Sequence, residues 1–167
     1  MTAETSALQG FLERYEAAWN GRDARAMDAL VTEDIVWFDP ALAQPARGRA
    51  EVRAFMETSW RAFPDLRFSE ADPPFRAEDG DRVAWAWRMR GTFQAALDPP
   101  GFAPTGRAMD VRGMDEWLMR DGQIAHYRAY YDANELARQL GIVPERGSGG
   151  ERAMVALQRV QARLQRR

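Results

Sequence analysis

The chain has 167 residues, of which 46% are hydrophobic and 11% aromatic, six of them Trp, a size and apolar content that suit one domain around one core and exclude general disorder. A formal net charge of -2, with no basic run before residue 146, offers little to polyphosphate and argues against nucleic acid as a partner. Cysteine is absent, so disulfides and thiolate chemistry drop out; MTAETSALQG lacks the pattern of a secretory leader, and no stretch approaches the roughly 18 apolar residues of a membrane span, so the expected address is cytoplasmic, off the membrane.

Leu8, Phe11, Leu12, Tyr15 and Trp19 recur at helical steps from Ser6, and Asn20-Gly21 stops the run. Asp23 is placed to cap a second, short helix through Leu30. Ile35, Val36, Trp37 and Phe38 have strand composition, broken by Asp39-Pro40. A third helical pattern opens at Gly48-Arg49, puts Val52, Phe55, Met56 and Phe63 on one face, and ends at Pro64-Asp65.

The period then changes. Extended segments are predicted over 66–71, 82–93, 108–119 and 123–131, with hairpin signals at Asp79-Gly80-Asp81 and Arg120-Asp121-Gly122, where Gly tolerates positive φ. Helices first and strands second predict an α+β domain in which three helices lie on the concave side of a long, curved, mainly antiparallel sheet. A short helix over 133–140 closes on Gly141. The domain is expected to span 1–146, with a flexible linker at 147–150 and an amphipathic helical tail over 151–167, docked on its own domain or on a dimer mate, the alternative being a loose tail or a contact with an anionic surface.

Strand alternation sorts the candidate site residues. On the last strand Ile124, His126, Arg128, Tyr130 and Asp132 share one face, and Ala125, Tyr127, Ala129 and Tyr131 the other. A His, an Arg, a Tyr and a carboxylate in one row are costly to bury unless they pair or work, so the orientation of that face is decisive. Asp132, between tyrosines and a helix start, is the leading general acid/base candidate if desolvated, and an N-cap if not. His126 is the second catalytic candidate, although a lone imidazole is more often structural. Arg128 and Tyr130 would bind substrate.

Asp115 stands amid Met109, Val111, Gly113, Trp117 and Met119, as a pocket residue or the partner of a buried Arg. Across the same strand, Asp110 and Arg112 read as an exposed ion pair. Trp85, Trp87, Met89 and Phe93 form an aromatic wall, either core or pocket lining, with Trp87, Trp117 and Tyr15 the candidate substrate contacts. The sequence contains no GxSxG elbow, no phosphate-binding glycine loop, and no histidine or carboxylate spacing suited to a metal.

Trp19-Asn20-Gly21-Arg22-Asp23, Phe63-Pro64-Asp65-Leu66, Arg90-Gly91-Thr92, Pro104-Thr105-Gly106-Arg107, Arg120-Asp121-Gly122-Gln123-Ile124 and Gln139-Leu140-Gly141 together resemble the SnoaL-like polyketide cyclases over most of residues 8 to 143. The resemblance implies the cone-shaped fold related to nuclear transport factor, a homodimer, a small-molecule pocket between helices and sheet, and no cofactor. It implies a carboxylate near the end of the last strand as acid/base for aldol ring closure, a position matched by Asp132. The polar pocket groups that follow the first strand in such cyclases are replaced by Trp37-Phe38-Asp39-Pro40, where Asp39 is the substitute on offer. Epoxide hydrolysis by Asp132, Arg128 and Asp115, or a non-catalytic binding module, are the other functions compatible with this outline.

Overall fold

A computed structural model describes residues 3–78 and 80–165, so Asp79 of the first hairpin signal and Arg166 and Arg167 of the tail lie outside the described residues. The first helix, α1, covers Ala3–Asn20 and places Phe11, Leu12, Tyr15 and Trp19 in the core. It ends as its Asn-Gly pair predicts, although Arg22, not Gly21, takes the left-handed backbone, at φ 57°. The Asn20 side chain then mimics a strand: its amide donates to the Phe68 carbonyl and its Oδ1 accepts from the Phe68 amide, both at 2.8 Å. Asp23 caps the short α2 (Ala24–Asp28), accepting from the amides of Arg25 and Ala26.

Strand β1 (Val31–Phe38) leads through the two-residue β2 (Ala46–Arg47) into α3 (Gly48–Ala62). Glu51 in the first turn of α3 reaches back to accept from the Arg47 amide at 2.7 Å. The second half is β3 (Arg67–Glu70), β4 (Phe75–Arg76), β5 (Arg82–Thr92), β6 (Ala108–Arg120) and β7 (Gln123–Tyr131). Asp121 and Gly122 join β6 to β7 with φ of 51° and 75°, the two positive values a tight hairpin needs. Two short strands, β2 and β4, are too brief to leave a period in the sequence.

The strands form one sheet in the order β2-β1-β7-β6-β5-β3, with β4 also on β5. All pairs are antiparallel except β1 with β7, where the chain's first strand lies parallel to its last. The three N-terminal helices cover the concave face, and the core between the layers is aromatic: Trp37, Trp85, Trp87, Trp117, Tyr15 and Phe93 are among its largest fully buried side chains. The expected α+β architecture is therefore observed.

Beyond the sheet, α4 (Ala133–Gln139) packs on β6, and α5 (Gly149–Leu164) starts at Ser148, whose hydroxyl accepts from the Glu151 amide. No residue of α5 is buried, and Met154, Leu157, Val160 and Leu164 face outward. Among the described residues nothing covers this apolar stripe, so of the expected placements the docking on its own domain is not seen. No helix among the described residues is long and apolar enough to cross a membrane.

Candidate active site

The register across the sheet's centre sets the site. Trp85, Asp115 and Ala129 stand side by side on β5, β6 and β7, flanked on one side by Val83, Trp117 and Tyr127 and on the other by Trp87, Gly113 and Tyr131. All these side chains belong to the concave face. Small residues at 113 and 129 leave the area that the neighbouring indoles and phenols fill.

Asp115 is 1% exposed, and no Arg among the described residues pairs with it. Its partners are neutral donors: the Trp87 indole Nε1 at 2.7 Å and the Tyr127 hydroxyl at 2.8 Å both donate to Oδ1, while the Tyr15 hydroxyl stands 3.4 Å from Oδ2. Two opposed effects act on the carboxyl. Burial penalises the ionised form, and the hydrogen bonds from Trp87 and Tyr127 favour it. Burial prevails and pushes the Asp115 pKa up to about 8, helped by the charge of Asp39. The same burial raises the hydroxyls of Tyr15 and Tyr127 well above the ordinary tyrosine range, so both stay protonated donors. Tyr127 is held by a stacked Trp37, ring centroids 3.5 Å apart and planes within 12°.

A second carboxyl lies at the end of β1. Asp39 is partly exposed, and its Oδ1 accepts from the Tyr131 hydroxyl and the Ala41 amide, each at 2.8 Å. Burial of the carboxyl pushes its pKa up as well. The Tyr131 ring in turn lies 6.0 Å from that of Trp87, so Asp39 and Tyr131 form the partly exposed rim beside the buried centre.

The structure divides the sequence-predicted residues into two groups. Asp115, Trp117, Trp87, Tyr15 and Asp39 gather on the inner side. Asp132, His126, Arg128 and Tyr130 do not: all four are exposed, because the other face of β7 is the one that packs inward. Asp132 is the N-cap of α4, accepting from the Glu135 amide at 2.8 Å, and that bond, helped by the Asn134 amide and the charges of Arg138 and Arg146, holds its pKa below the usual carboxylate value. The expectation of a desolvated acid/base at 132 is corrected accordingly. His126 and Arg128 line a shallow groove of about 230 Å³ on the outer face with Phe38, Arg82, Glu116 and Leu118, where the Arg128 guanidinium sits 4.4 Å from the Phe38 ring centroid. Tyr130 donates to Glu116 at 2.9 Å on the same side.

The expected Asp110 and Arg112 pair is also corrected. Asp110 bonds Arg88 and Arg90 on β5, and Arg112 bonds Asp72, because alternate residues on one strand are farther apart than neighbours across strands. Tyr127 and Tyr131 were not foreseen as site residues. Their alternation with Ala125 and Ala129 is visible in the sequence, and it puts Tyr127 beside Trp117 and Tyr131 beside Gly113 on β6. Among the described residues, no three His, Asp or Glu side chains converge to hold a metal ion.

A curved, unclosed sheet with helices laid against it is the fold of the SnoaL-like and nuclear-transport-factor-like domains. The chain belongs to the SnoaL-like domain family, whose sequence profile matches residues 12–127. No curated protein matches it. Among solved structures it is similar to TsrD from Streptomyces laurentii, with 26% identity, a TM-score of 0.70, and coverage of 81% of this chain and 96% of that one. A protein named "putative polyketide cyclase" from Pseudomonas putida is 27% identical, with a TM-score of 0.67 over 78% of this chain and 95% of that one. A SnoaL-like protein of the same naming from a Jannaschia species shares the fold at 19% identity and a TM-score of 0.72, over 86% of this chain and 98% of that one.

Proposed function

We propose that the protein is a cofactor-independent acid/base enzyme acting on a small apolar carbonyl compound by cyclisation or isomerisation, with Asp115 as the group that moves the proton. The observation that carries the reading is a carboxyl wholly removed from water, with no cationic partner, whose pKa of about 8 keeps both protonation states accessible near neutral pH. At pH 7 about a tenth of it is ionised. The carboxylate form takes a proton from the carbon beside a carbonyl; the resulting enolate attacks a second carbonyl, or is reprotonated elsewhere; the acid form returns the proton to the new alkoxide or carbon. Tyr15 and Tyr127 stay protonated throughout; Tyr127 holds Oδ1 of Asp115, and Tyr15, whose contact with Oδ2 is long at 3.4 Å, can donate to the developing oxyanion. The buried indole N–H groups of Trp37, Trp85 and Trp117 have no acceptor among the described residues, which suits a ligand rich in carbonyl oxygens.

Trp85, Trp87 and Trp117 are each at most 2% exposed, so a substrate reaches Asp115 only when these indoles or the rim at Asp39 and Tyr131 part. That close packing favours a second reading, a non-catalytic module in which Asp115 is a structural hydrogen-bond centre. The homodimer and the cytoplasmic setting belong to the same proposal; Met114 and Tyr130, paired across β6 and β7, and Phe75 on β4 are exposed large hydrophobic residues of the outer face.

Deuterium exchange at the central carbon of benzoylacetone in D2O, followed by NMR, separates the two readings. The enzyme reading expects catalysed exchange that Asp115→Asn slows by about 10²- to 10⁴-fold while Asp132→Asn leaves it unchanged. Exchange at the buffer rate in the unmodified protein, or undiminished in Asp115→Asn, would reject the role of Asp115.

A further inference from the structure

The proton on Asp115 has a determined place. Oδ1 already accepts two hydrogen bonds, from Trp87 Nε1 and Tyr127, whereas Oδ2 faces only the Tyr15 hydroxyl at 3.4 Å. Trp87 is thus the donor that saturates Oδ1 from the β5 side. Its indole reaches the carboxyl by lying across the neighbouring strand at Gly113, its register partner on β6. A Cβ at position 113 would stand 2.3 Å from Cη2 and 2.4 Å from Cζ2 of that indole, far inside any tolerated contact. Gly113 does not have a positive φ, so backbone freedom is not the reason for glycine there. The missing side chain is: any larger residue expels the indole from the place where its N–H meets Oδ1.

We propose that Gly113 and Trp87 form a pair of positioning residues that saturates Oδ1 of Asp115 and so leaves Oδ2, toward Tyr15, as the oxygen that carries and delivers the proton. The inference rests on Asp115 as the acid/base group for its consequence in catalysis, but the hydrogen-bond arrangement can be tested without turnover. The groups that bear on the Asp115 charge are Tyr15 from α1, Tyr127 and Tyr131 from β7, Trp87 from β5, and Asp39 at the end of β1, so no cation confuses the reading.

The test is a carboxyl NMR titration of Asp115 in aspartate-labelled full-length protein, in four forms: unmodified, Trp87→Phe, Gly113→Ala and the double variant. Trp87→Phe keeps an aromatic ring but removes the N–H that favours the carboxylate, so the Asp115 midpoint is expected to rise by about one pH unit or more. Gly113→Ala displaces the indole and is expected to raise it in the same direction. A phenyl ring does not extend to the Cη2 position, so adding Gly113→Ala to Trp87→Phe is expected to change the midpoint little and to regain thermal stability lost in Gly113→Ala alone. A midpoint unmoved in Trp87→Phe, or two additive shifts in the double variant, would overturn the pairing. Should Gly113→Ala not fold, the Trp87 Nε1–H resonance of the unmodified protein decides: it must titrate with the Asp115 midpoint, and a resonance flat through that range overturns the proposal. Benzoylacetone exchange failing in all forms would remove the catalytic role of Asp115 and leave these titrations to stand or fall on their own.

Discussion

Asp115, in the middle of β6, and Asp132, just past the end of β7, present the same carboxyl group to opposite surroundings. At 132 the backbone N–H groups of Glu135 and Asn134 and the charges of Arg138 and Arg146 stabilise the carboxylate with little burial to oppose them, and the pKa falls. At 115 two stronger-placed donors do the same, yet the pKa climbs to about 8, because desolvation outweighs them. Hydrogen bonds alone therefore do not rank acid/base candidates in this fold; which face of the strand is buried does. The row of titratable groups on β7 that looks most like a catalytic set is the solvated outside of the sheet, and the desolvated carboxyl sits in the row that looks like core.

That contrast can be broken experimentally. The largest effect should follow Trp117→Ala, which empties the inner face beside Asp115: a loss of about 3 to 5 kcal/mol is expected in denaturant unfolding. If the loss were below about 1 kcal/mol, the inner row would not be the close-packed one.

Next is the pH dependence of stability. The folded pKa of Asp115 is raised above its unfolded value, so the unfolded chain loses that proton first, and stability present below about pH 4 declines as pH rises until the folded pKa of about 8 is passed. Asp115→Asn stays neutral and accepts the same two bonds on Oδ1. It should be more stable than the unmodified protein at pH 9, by a few kcal/mol at most, and match it near pH 4. Parallel stability curves for the two proteins would mean that Asp115 is not desolvated.

Smaller still, Asp132→Ala removes a helix-capping carboxylate and should cost about 1 kcal/mol at neutral pH. Folding lowers the pKa of that carboxyl, so the cost should fade as acid protonates Asp132, and the alkaline limb set by Asp115 should stay unchanged. Tyr130→Phe, on the outer face, removes a hydroxyl that meets an exposed Glu116 and should change stability by less than about 0.5 kcal/mol. A larger effect for either would indicate that the outer face is covered in solution.

Most of the architecture was legible because its signals are local. The helical stripe ending at Asn20-Gly21, the Asp23 cap, the Asp121-Gly122 turn and the long alternating strands each depend on a few neighbouring residues. The inward face of β7 was not legible, since both of its faces carry tyrosines and the choice depends on partners distant in sequence: Trp37 stacking on Tyr127, and Trp117 in register with it. Asp115 could be flagged as a lone carboxylate in an apolar row, but whether an Arg accompanied it was a tertiary fact. Gly113 gave no sign of its use, because the indole that needs its space comes from another strand.

The parallel pairing of β1 with β7 joins Val31 and Ile124, residues roughly ninety positions apart, so that closure of this sheet is a long-range event. During synthesis, Val31, Ile35 and Trp37 leave the ribosome long before the strand that will flank them exists. Until the last hairpin arrives, the nascent chain carries a sticky, half-made edge, and its yield in the cell should depend on how well that interval is shielded.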